Sequence, residues 1–391
     1  MILAFWLSLI IIIYTFLGYG FLLYILVLFK RIFKKKIKPT QINPDETPSC
    51  TLIIAAYNEE SIIEQKISNT LLLSYPEGKL RIIFITDGST DNTPALVKKF
   101  NSVDLMHLPE RQGKVAAIHR AVSVSDSEIL IFTDANTLLN KDALILIASH
   151  YRNPKTGAVA GEKRVSFENK ADAGSAGEGF YWKYESQLKQ WDSELYSVVG
   201  AAGELFSIRR ALYEPVENDT ILDDFMISMK IAAKGYRIAY EPLAYAVENA
   251  SANIKEELKR KVRIAAGGIQ SIVRLKKLLN ILKYGLLSFQ FISHRVLRWT
   301  ITPFLLLLTL GLNIFICIQE GGSTYLILLY GQILFYFLAI LGMIFENKEL
   351  RIKIFFIPYY FCMMNYAVLA GIKRYISNKQ SAVWEKAQRK I

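Results

Sequence analysis

Long uncharged runs separate candidate membrane segments from a globular block in this chain. Residues 1–29 contain no charged side chain, and the same is true of 299–319, 321–345 and 354–372. Each run is near or above the roughly 20 residues with which a helix crosses about 30 Å of hydrocarbon. The pattern predicts an N-terminal transmembrane helix over 1–29 and about three transmembrane helices within 299–372.

Basic residues next to these runs predict how the helices are oriented. Six lysines and arginines fall within residues 30–38, immediately after the first run. The positive-inside rule therefore predicts a cytoplasmic end here and an external N-terminus. Four crossings would then leave the basic tail 373–391 outside, which that rule disfavours. Either one run lies in the interface without spanning, or the tail is an exception.

Segments that mix apolar and basic positions border the globular block. Residues 30–47 read as a basic juxtamembrane linker, and 251–298 read as amphipathic helices in the membrane interface. Basic clusters beside apolar runs are typical of contact with anionic membrane lipids. The distribution of charge therefore indicates membrane lipids as partners and excludes nucleic acid.

Composition narrows the class of protein further. The 391 residues are 52% hydrophobic, with a mean hydropathy of +0.24 and a net charge of +12. Such a chain is too apolar to be largely disordered. Its three cysteines, at positions 50, 317 and 362, are too few and too far apart for a disulfide framework or a zinc site.

Residues 48–250 alternate short β-branched runs with longer helical patterns. Strands are predicted at 51–56, 81–86, 103–108 and 128–133, with helices between them. This alternation is typical of a doubly wound α/β sheet. Ligands of such sheets bind beyond the carboxyl ends of the strands, which makes the residues after each strand the candidates for chemistry.

Polar clusters follow three of the four predicted strands. They are the segments 57–60, 87–91 and 134–136, with the sequences YNEE, DGSTD and DAN. Each alone could be a turn or a helix cap. Their repetition at one edge of the sheet favours a shared crevice. The chain has no dinucleotide fingerprint, no P-loop and no nucleophile elbow, so a nicotinamide enzyme, a P-loop ATPase and an α/β-hydrolase are disfavoured.

Six motifs in order resemble the membrane-bound family 2 glycosyltransferases. They are YNEE, DGSTD, the D-x-N at 134, VVGAAGELFSIRR at 198–210, ILDDF at 221–225 and RKVRIAAGG at 260–268. The resemblance is to the group that includes exopolysaccharide, poly-N-acetylglucosamine, hyaluronan and cellulose synthases. It implies an α/β GT-A (Rossmann-like) domain joined to transmembrane and interfacial helices, and inverting transfer of a sugar from a UDP-sugar donor.

The resemblance also assigns a donor site and a cation. Nucleotide-sugar binding falls on Ala55, Tyr57, Glu59, Asp87, Lys114, Asp134, Arg260, Lys261 and Arg263. Asp134 and Asn136 would offer oxygen ligands to Mg²⁺ or Mn²⁺ on the diphosphate. The family more often has aspartate at the second of these positions, so the asparagine predicts weaker or water-mediated binding. A solvated lysine and a simple turn remain alternatives for Lys114 and for 134–136.

Catalysis and acceptor binding are assigned in the same way. Asp224 is the predicted general base and Asp223 its supporting neighbour, because inverting transfer requires a carboxylate to deprotonate the attacking hydroxyl. Repulsion between two adjacent carboxylates would also raise the pKa of one of them. Gly200, Gly203 and Glu204 would form the floor for the acceptor sugar. Helix capping by the aspartates and a glycine-containing bulged strand are the structural alternatives.

One motif departs from the family pattern. Processive members carry Q-x-x-R-W where this chain has Arg260-Lys261-Val262-Arg263-Ile264, so positive charge is kept and the tryptophan is missing. We expect synthesis of a cell-surface or extracellular polysaccharide, with transfer of a single sugar to a lipid-linked acceptor as the alternative. The chain is expected to be a multi-pass inner-membrane protein with a cytoplasmic catalytic domain. A transporter or an inactive scaffold is a different class that this sequence disfavours, since the later apolar runs are uncharged.

Overall fold

A computed structural model describes residues 1–33, 46–166, 173–249, 253–346 and 352–377, with the main chain alone at 166 and 173–181. Much of the predicted linker 30–47 and of the tail 373–391 lies outside these residues. An eight-stranded mixed sheet forms the centre of the globular block, in the order β3-β2-β1-β4-β7-β6-β8-β5. The strands are β1 Cys50–Ala56, β2 Leu80–Asp87, β3 Asp104–Leu108, β4 Ile129–Asp134, β5 Thr137–Leu139, β6 Thr156–Ser166, β7 Phe206–Arg209 and β8 Arg237–Asn249.

The four predicted strands are found within a residue or two of their expected bounds. Strands β1 to β4 are mutually parallel, with β1 between β2 and β4. Chain order therefore reverses beside β1, which places a crevice beyond the carboxyl ends of β1 and β4. Beyond β4 the sheet becomes mixed, because β7 runs antiparallel to both β4 and β6.

Strand β1 shows why the sheet forms a sandwich with helices on both faces. Its residues are all buried and alternate between two cores. Ile53 and Ala55 face the core that also contains Phe225, whereas Leu52 and Ile54 face the other. A strand buried on both sides reads as a continuous apolar run, which is the pattern the sequence shows.

Some helices pack on the two faces of the sheet. Others form the candidate membrane segments or connect them to the globular block. The helices are α1 Ile2–Ile13, α2 Tyr19–Phe33, α3 Ile63–Leu71, α4 Thr93–Lys98, α5 Lys114–Ser123, α6 Ala143–Ser149, α7 Ala173–Leu195, α8 Asp223–Ala233, α9 Ile254–Arg274, α10 Ile281–Tyr284, α11 Leu286–Phe291, α12 Leu297–Trp299, α13 Thr302–Gln319, α14 Ser323–Glu346 and α15 Lys353–Ile376.

Four helical segments of the described chain are long and apolar enough to cross a membrane. They are Ile2–Phe33, in which a π-helical turn joins α1 to α2, and the three helices α13, α14 and α15. The four apolar runs of the sequence therefore each form a helix. How many of these helices cross the membrane, and in which orientation, stays a prediction.

Two basic residues of the first juxtamembrane group contact the globular block. Lys30 donates to the main-chain carbonyls of Glu194 and Leu195 at the end of α7, and Arg31 forms a bidentate ion pair with the Glu194 carboxylate at 2.7 and 2.8 Å. Unpaired carbonyls and the helix dipole at a helix C-terminus both favour cations. These two side chains therefore fix the first membrane helix to α7.

A buried set of charged side chains joins the interfacial region to α7. We call Glu185, Asp192, His294, Arg295 and Arg298 the junction cluster. His294 lies between the Asp192 and Glu185 carboxylates, at 2.6 and 3.0 Å, and the two arginines contact Glu185 at 2.8 and 2.9 Å. These three basic residues of the predicted interfacial segment therefore face the protein interior.

Candidate active site

The loops after β1 and β2 are bound to each other. Asn58, whose φ of 54° places it in the left-handed region, accepts a hydrogen bond from the Thr90 amide at 2.8 Å. The Glu60 carboxylate accepts one from the Asn92 amide at 3.0 Å. Both motifs that follow these strands therefore contain residues that build the rim of the crevice.

A small cleft at this rim collects several predicted nucleotide-binding residues. Ala55, Tyr57, Asp87 and Lys114 line it, together with Arg111. The Arg111 guanidinium lies 3.8 Å from the centre of the Tyr57 ring. These two side chains therefore form a cation–π pair in the lining of the cleft. Arg111 was not predicted, since a single arginine in a loop gives no sequence signal.

Asp87 lies in this cleft but its carboxylate is used by the protein. One oxygen accepts from the amides of Gln112 and Gly113, at 2.9 and 2.6 Å, and the other contacts Arg120 at 3.1 Å. Asp87 therefore fixes the turn that precedes α5, where Gly113 has a φ of 98°. Its predicted contact with the base or ribose stays a prediction.

A larger cleft of about 310 Å³ adjoins the first and contains the other predicted site residues. It brings together side chains that are far apart in the sequence and come from every motif after the second. The predicted residues that line it are Glu59, Lys114, Asp134, Asn136, Gly200, Gly203, Glu204, Asp223, Asp224, Arg260, Lys261 and Arg263.

Lys114 is surrounded by three aspartates, and we call these four residues the acidic cluster. Its ammonium lies 2.8 Å from an Asp134 oxygen and 3.7 Å from Oδ2 of Asp223. Burial alone would lower the pKa of Lys114, but Asp134, Asp223 and Asp224 outweigh it and raise the pKa above its usual value. One ammonium therefore faces three carboxylates.

Two features of the acidic cluster show that its charge is not fully compensated. Oδ2 of Asp223 is buried and makes no hydrogen bond with any residue that the structure describes. Burial, followed by the charge of Asp223, raises the pKa of Asp224 from 3.8 to about 7. An acid with such a pKa can gain and lose a proton near neutral pH, which general base catalysis requires.

Neither aspartate caps the helix that they open. The N-cap of α8 is Leu222, with no side-chain hydrogen bond to the helix, and Asp223 and Asp224 are its first two helical residues. The capping alternative is therefore wrong for both. Both carboxylates instead lie at the positive end of the helix dipole, and burial opposes the charged form of Asp224.

Oxygen donors for a cation are present but few. Asp134 and Asn136 both line the cleft, and the described part of the chain contains no group of three or more acidic, histidine or cysteine side chains arranged to hold a metal. Mg²⁺ is commonly held by one or two carboxylates with substrate phosphates completing its shell. The residues therefore fit a cation that arrives with a diphosphate.

The glycines at the predicted acceptor floor have different structural causes. A Cβ at Gly203 would lie 3.3 Å from an Asp224 oxygen and 3.6 Å from the Lys114 ammonium, so its absence leaves the Asp224 carboxylate open. A Cβ at Gly200, which has a φ of +82°, would lie 2.0 Å from the Phe225 ring. Packing therefore explains Gly200, and only Gly203 borders the reactive groups.

The third floor residue, Glu204, belongs to an ion-pair network. Lys163 contacts the carboxylates of both Glu204 and Glu248, and its side chain is only 3% exposed. Burial would raise the pKa of Glu204, but Lys163 outweighs it and holds the pKa below its usual range. Lys163 also lines the cleft and was not predicted, because its motif-free strand gave no signal.

The three basic residues of the RKVRI segment differ in their contacts. Arg260 forms a bidentate pair with Glu257 at 3.0 Å, and Lys261 approaches the same carboxylate at 3.4 Å. Arg263 lines the cleft and makes no ion pair with any residue that the structure describes. Of the three, Arg263 is therefore the one whose charge no described carboxylate pairs.

Aromatic side chains extend the cleft toward the membrane helices. Trp182 and Trp299 line it together with Met364, Ala367 and Val368 of α15. Two other aromatic residues of α7 contact the first membrane helix instead. Tyr184 donates to the Phe16 carbonyl at 2.8 Å, and Trp191 packs against Tyr24.

Much of the globular block is similar to known sequences. Residues 51–216 match the model of glycosyl transferase family 2. The chain is 31% identical over 245 residues to a poly-beta-1,6-N-acetyl-D-glucosamine synthase of Staphylococcus aureus, covering 61% of this chain and 58% of that protein. The same-named synthase of Staphylococcus epidermidis is 29% identical over 232 residues, which are 57% and 55% of the two chains. The chain thus spans little more than half the length of these relatives.

Comparison with solved structures supports the same fold. The mannosyltransferase PcManGT from Pyrobaculum calidifontis, solved in complex with GDP-Man and Mn²⁺, superposes with a TM-score of 0.71 at 22% identity. The superposition covers 96% of this chain and 99% of that one, so it includes the apolar helices. The predicted GT-A fold is confirmed. Residues 51–216 therefore match the model of glycosyl transferase family 2 within a GT-A fold, and the long apolar helices belong to the same chain.

Proposed function

We propose that the chain is an inverting glycosyltransferase that transfers sugar units from a UDP-sugar to a growing glycan during synthesis of a cell-surface polysaccharide. The observation that carries the proposal is the acidic cluster, in which a carboxylate with a raised pKa borders a residue that has no side chain. Similarity to the staphylococcal synthases favours an N-acetylhexosamine donor.

Asp224 is the base of the proposed reaction. It would accept the proton of the acceptor hydroxyl as that oxygen attacks the anomeric carbon and the bond to the diphosphate breaks on the opposite side. Gly203 leaves room for the hydroxyl, and Asp223 maintains the raised pKa of Asp224.

Positive charge would stabilise the departing diphosphate. A divalent cation held by Asp134 and Asn136, as Mg²⁺ or Mn²⁺, would supply part of this charge. That PcManGT was solved with Mn²⁺ supports a divalent cation. Lys114 and Arg263, which both line the cleft, would supply further positive charge.

The proposal includes a location and an acceptor. The four apolar helices, and the resemblance to membrane-bound glycosyltransferases, support a multi-pass membrane protein. Its catalytic domain would face the cytoplasm, where nucleotide sugars are made. The cleft reaches α15, one of the candidate spans, so a glycan could leave the active site along the membrane helices. The same reach, together with Ile264 in place of tryptophan, supports the alternative of single transfer to a lipid-linked acceptor.

Turnover with defined donors tests the proposal. Purified full-length protein in lipid nanodiscs would be incubated with UDP-linked N-acetylhexosamines and hexoses, and with GDP-mannose, in Mg²⁺, Mn²⁺ or EDTA. We expect release of UDP from an N-acetylhexosamine donor and loss of this release in EDTA. No turnover with any UDP-sugar, or activity with GDP-mannose alone, would contradict the donor assignment. Products that differ from the acceptor by one sugar would favour the alternative function.

A further inference from the structure

A lysine behind the candidate cation site has no role in the reaction proposed above. Lys66 lies on α3 and its side chain is 0% exposed. Its ammonium donates to the main-chain carbonyl of Thr137 at 2.7 Å and to the Thr133 hydroxyl at 3.3 Å. It makes no ion pair with any residue that the structure describes.

Burying an ammonium without a carboxylate in contact is unfavourable. The burial lowers the pKa of Lys66 from 10.5 to about 7, although Asp134 partly offsets this effect. An apolar side chain of similar length would avoid the desolvation penalty. Burial of this amine therefore opposes folding, and its hydrogen bonds to Thr133 and Thr137 are the described contacts that offset the cost.

The contacts of Lys66 link both halves of the larger cleft. The Thr137 hydroxyl donates to the Asp134 carbonyl at 2.9 Å, which closes the loop that carries Asp134 and Asn136. The Thr133 hydroxyl donates to the Glu204 carbonyl at 2.8 Å, next to Gly203 on the acceptor side. One buried ammonium thus holds the loop after β4 and the segment before β7.

We propose that Lys66 is a positioning residue, which holds the Asp134–Asn136 loop in the geometry that binds a diphosphate with its divalent cation and fixes that loop relative to the acceptor side. This inference rests on the proposed function, since it assigns Lys66 to the donor half of that site. Groups behind metal ligands orient those ligands, and their loss commonly weakens metal binding by about 10- to 100-fold.

Lys66→Met tests the proposal, with Thr70→Val as a matched control. Thr70 is a buried residue on the same helix whose hydroxyl bonds only locally, to the Lys66 carbonyl at 2.8 Å. UDP with Mn²⁺ is the probe, and the readout is its stabilisation of the purified protein against heat, which needs neither acceptor nor turnover. We expect Lys66→Met to raise the half-saturating Mn²⁺ concentration about tenfold, while its melting temperature without ligand equals or exceeds that of the wild type. The control should leave the half-saturating concentration unchanged.

A second variant tests the link to the acceptor side. Thr133→Val removes the hydroxyl that joins Lys66 to Glu204. If Lys66 acts through this hydroxyl, the effects of Lys66→Met and Thr133→Val on kcat are less than additive in the double variant.

The outcomes separate this inference from the proposed function. A wild-type protein that binds no UDP with Mn²⁺ would refute the proposed donor chemistry. A wild type that binds the probe and a Lys66→Met variant that binds it equally well would refute the role of Lys66. A variant that is less stable but has unchanged Mn²⁺ dependence would show that Lys66 serves the fold only.

Discussion

The acidic cluster and the junction cluster both bury several charged side chains, and they differ in how those charges are compensated. In the junction cluster each carboxylate oxygen of Glu185 contacts a cation or histidine, and both oxygens of Asp192 accept hydrogen bonds. In the acidic cluster one ammonium faces three carboxylates, so negative charge is in excess.

The two clusters shift acid pKa values in opposite directions. Burial would raise the pKa of Glu185, but Arg295, His294 and Arg298 outweigh it and hold the pKa well below the usual value. At Asp224 burial and Asp223 outweigh Lys114, and the pKa rises to about 7. The junction cluster, whose charges are compensated, joins parts of the fold. The acidic cluster, whose charges are not, keeps an acid that can ionise near neutral pH and can accept further positive charge.

The largest effect is expected from breaking the compensated cluster. Glu185→Gln would leave Arg295 and Arg298 buried beside a neutral group, and removing one partner of a buried ion pair costs about 3–5 kcal/mol. We expect a clear fall in the melting temperature of the purified protein. Glu194→Gln is the matched control on the same helix, because its partner Arg31 is 40% exposed and such pairs contribute about 1 kcal/mol or less. Equal losses in the two variants would refute a structural role for the junction cluster.

The next largest effect is expected from a change in the acidic cluster. Asp224→Asn removes the proposed base and keeps its shape, so we expect kcat to fall by roughly a hundredfold or more. Binding of UDP with Mn²⁺, followed by thermal stabilisation, should stay close to that of the wild type. Asp142→Asn, an exposed aspartate outside the cleft, should have normal kcat. Turnover near the wild-type rate in Asp224→Asn would reject Asp224 as the base.

The smallest effects are those of pH, and they differ in sign between the clusters. Because Asp224 must be ionised to act as a base, kcat should fall about tenfold per pH unit below about 7. Its raised pKa also means that the folded protein holds a proton between about pH 4 and 7 that the unfolded chain has released. Stability at this site therefore falls as pH rises through that window.

Stability measured against pH checks this sign. Without ligand, Asp224→Asn should melt above the wild type at pH 8 and close to it at pH 4, since the uncharged amide removes the repulsion from Asp223. Glu185, whose pKa is depressed, should stabilise the fold fully above its ordinary pKa of 4.5 and lose that contribution as the pH falls below this value. A wild-type advantage over Asp224→Asn that grows from pH 4 to pH 8 would contradict the raised pKa.

Local patterns in the sequence predicted the sheet and the membrane helices because these depend on neighbouring residues. Strand β1 is a continuous apolar run that both cores bury, and α14 is uncharged up to its last residue, Glu346, and as long as a membrane span. The residues after each strand were predictable for the same reason, since the carboxyl ends of parallel strands meet at one edge. Resemblance to a family supplied the later motifs, including Asp224 and Arg263.

The contacts that give these residues their properties could not be predicted in this way. Asp87 proved to bind the turn before α5, Gly200 proved to make room for Phe225, and His294 proved to lie inside the protein. Lys163 and Lys66 carried no motif at all. Each of these facts depends on which distant segment lies opposite, and no spacing along the chain records that.

The sequence by itself determined the types of element, the order of the motifs and the kind of chemistry that carboxylates and cations could perform, because hydrophobic period and side-chain chemistry are local properties. Tertiary structure decided which buried charges are compensated. Glu185 met two arginines and a histidine, whereas Asp223 and Asp224 met one shared lysine. The free energy of a buried charge is set by the charges within a few ångströms of it, and only the folded chain brings those charges together.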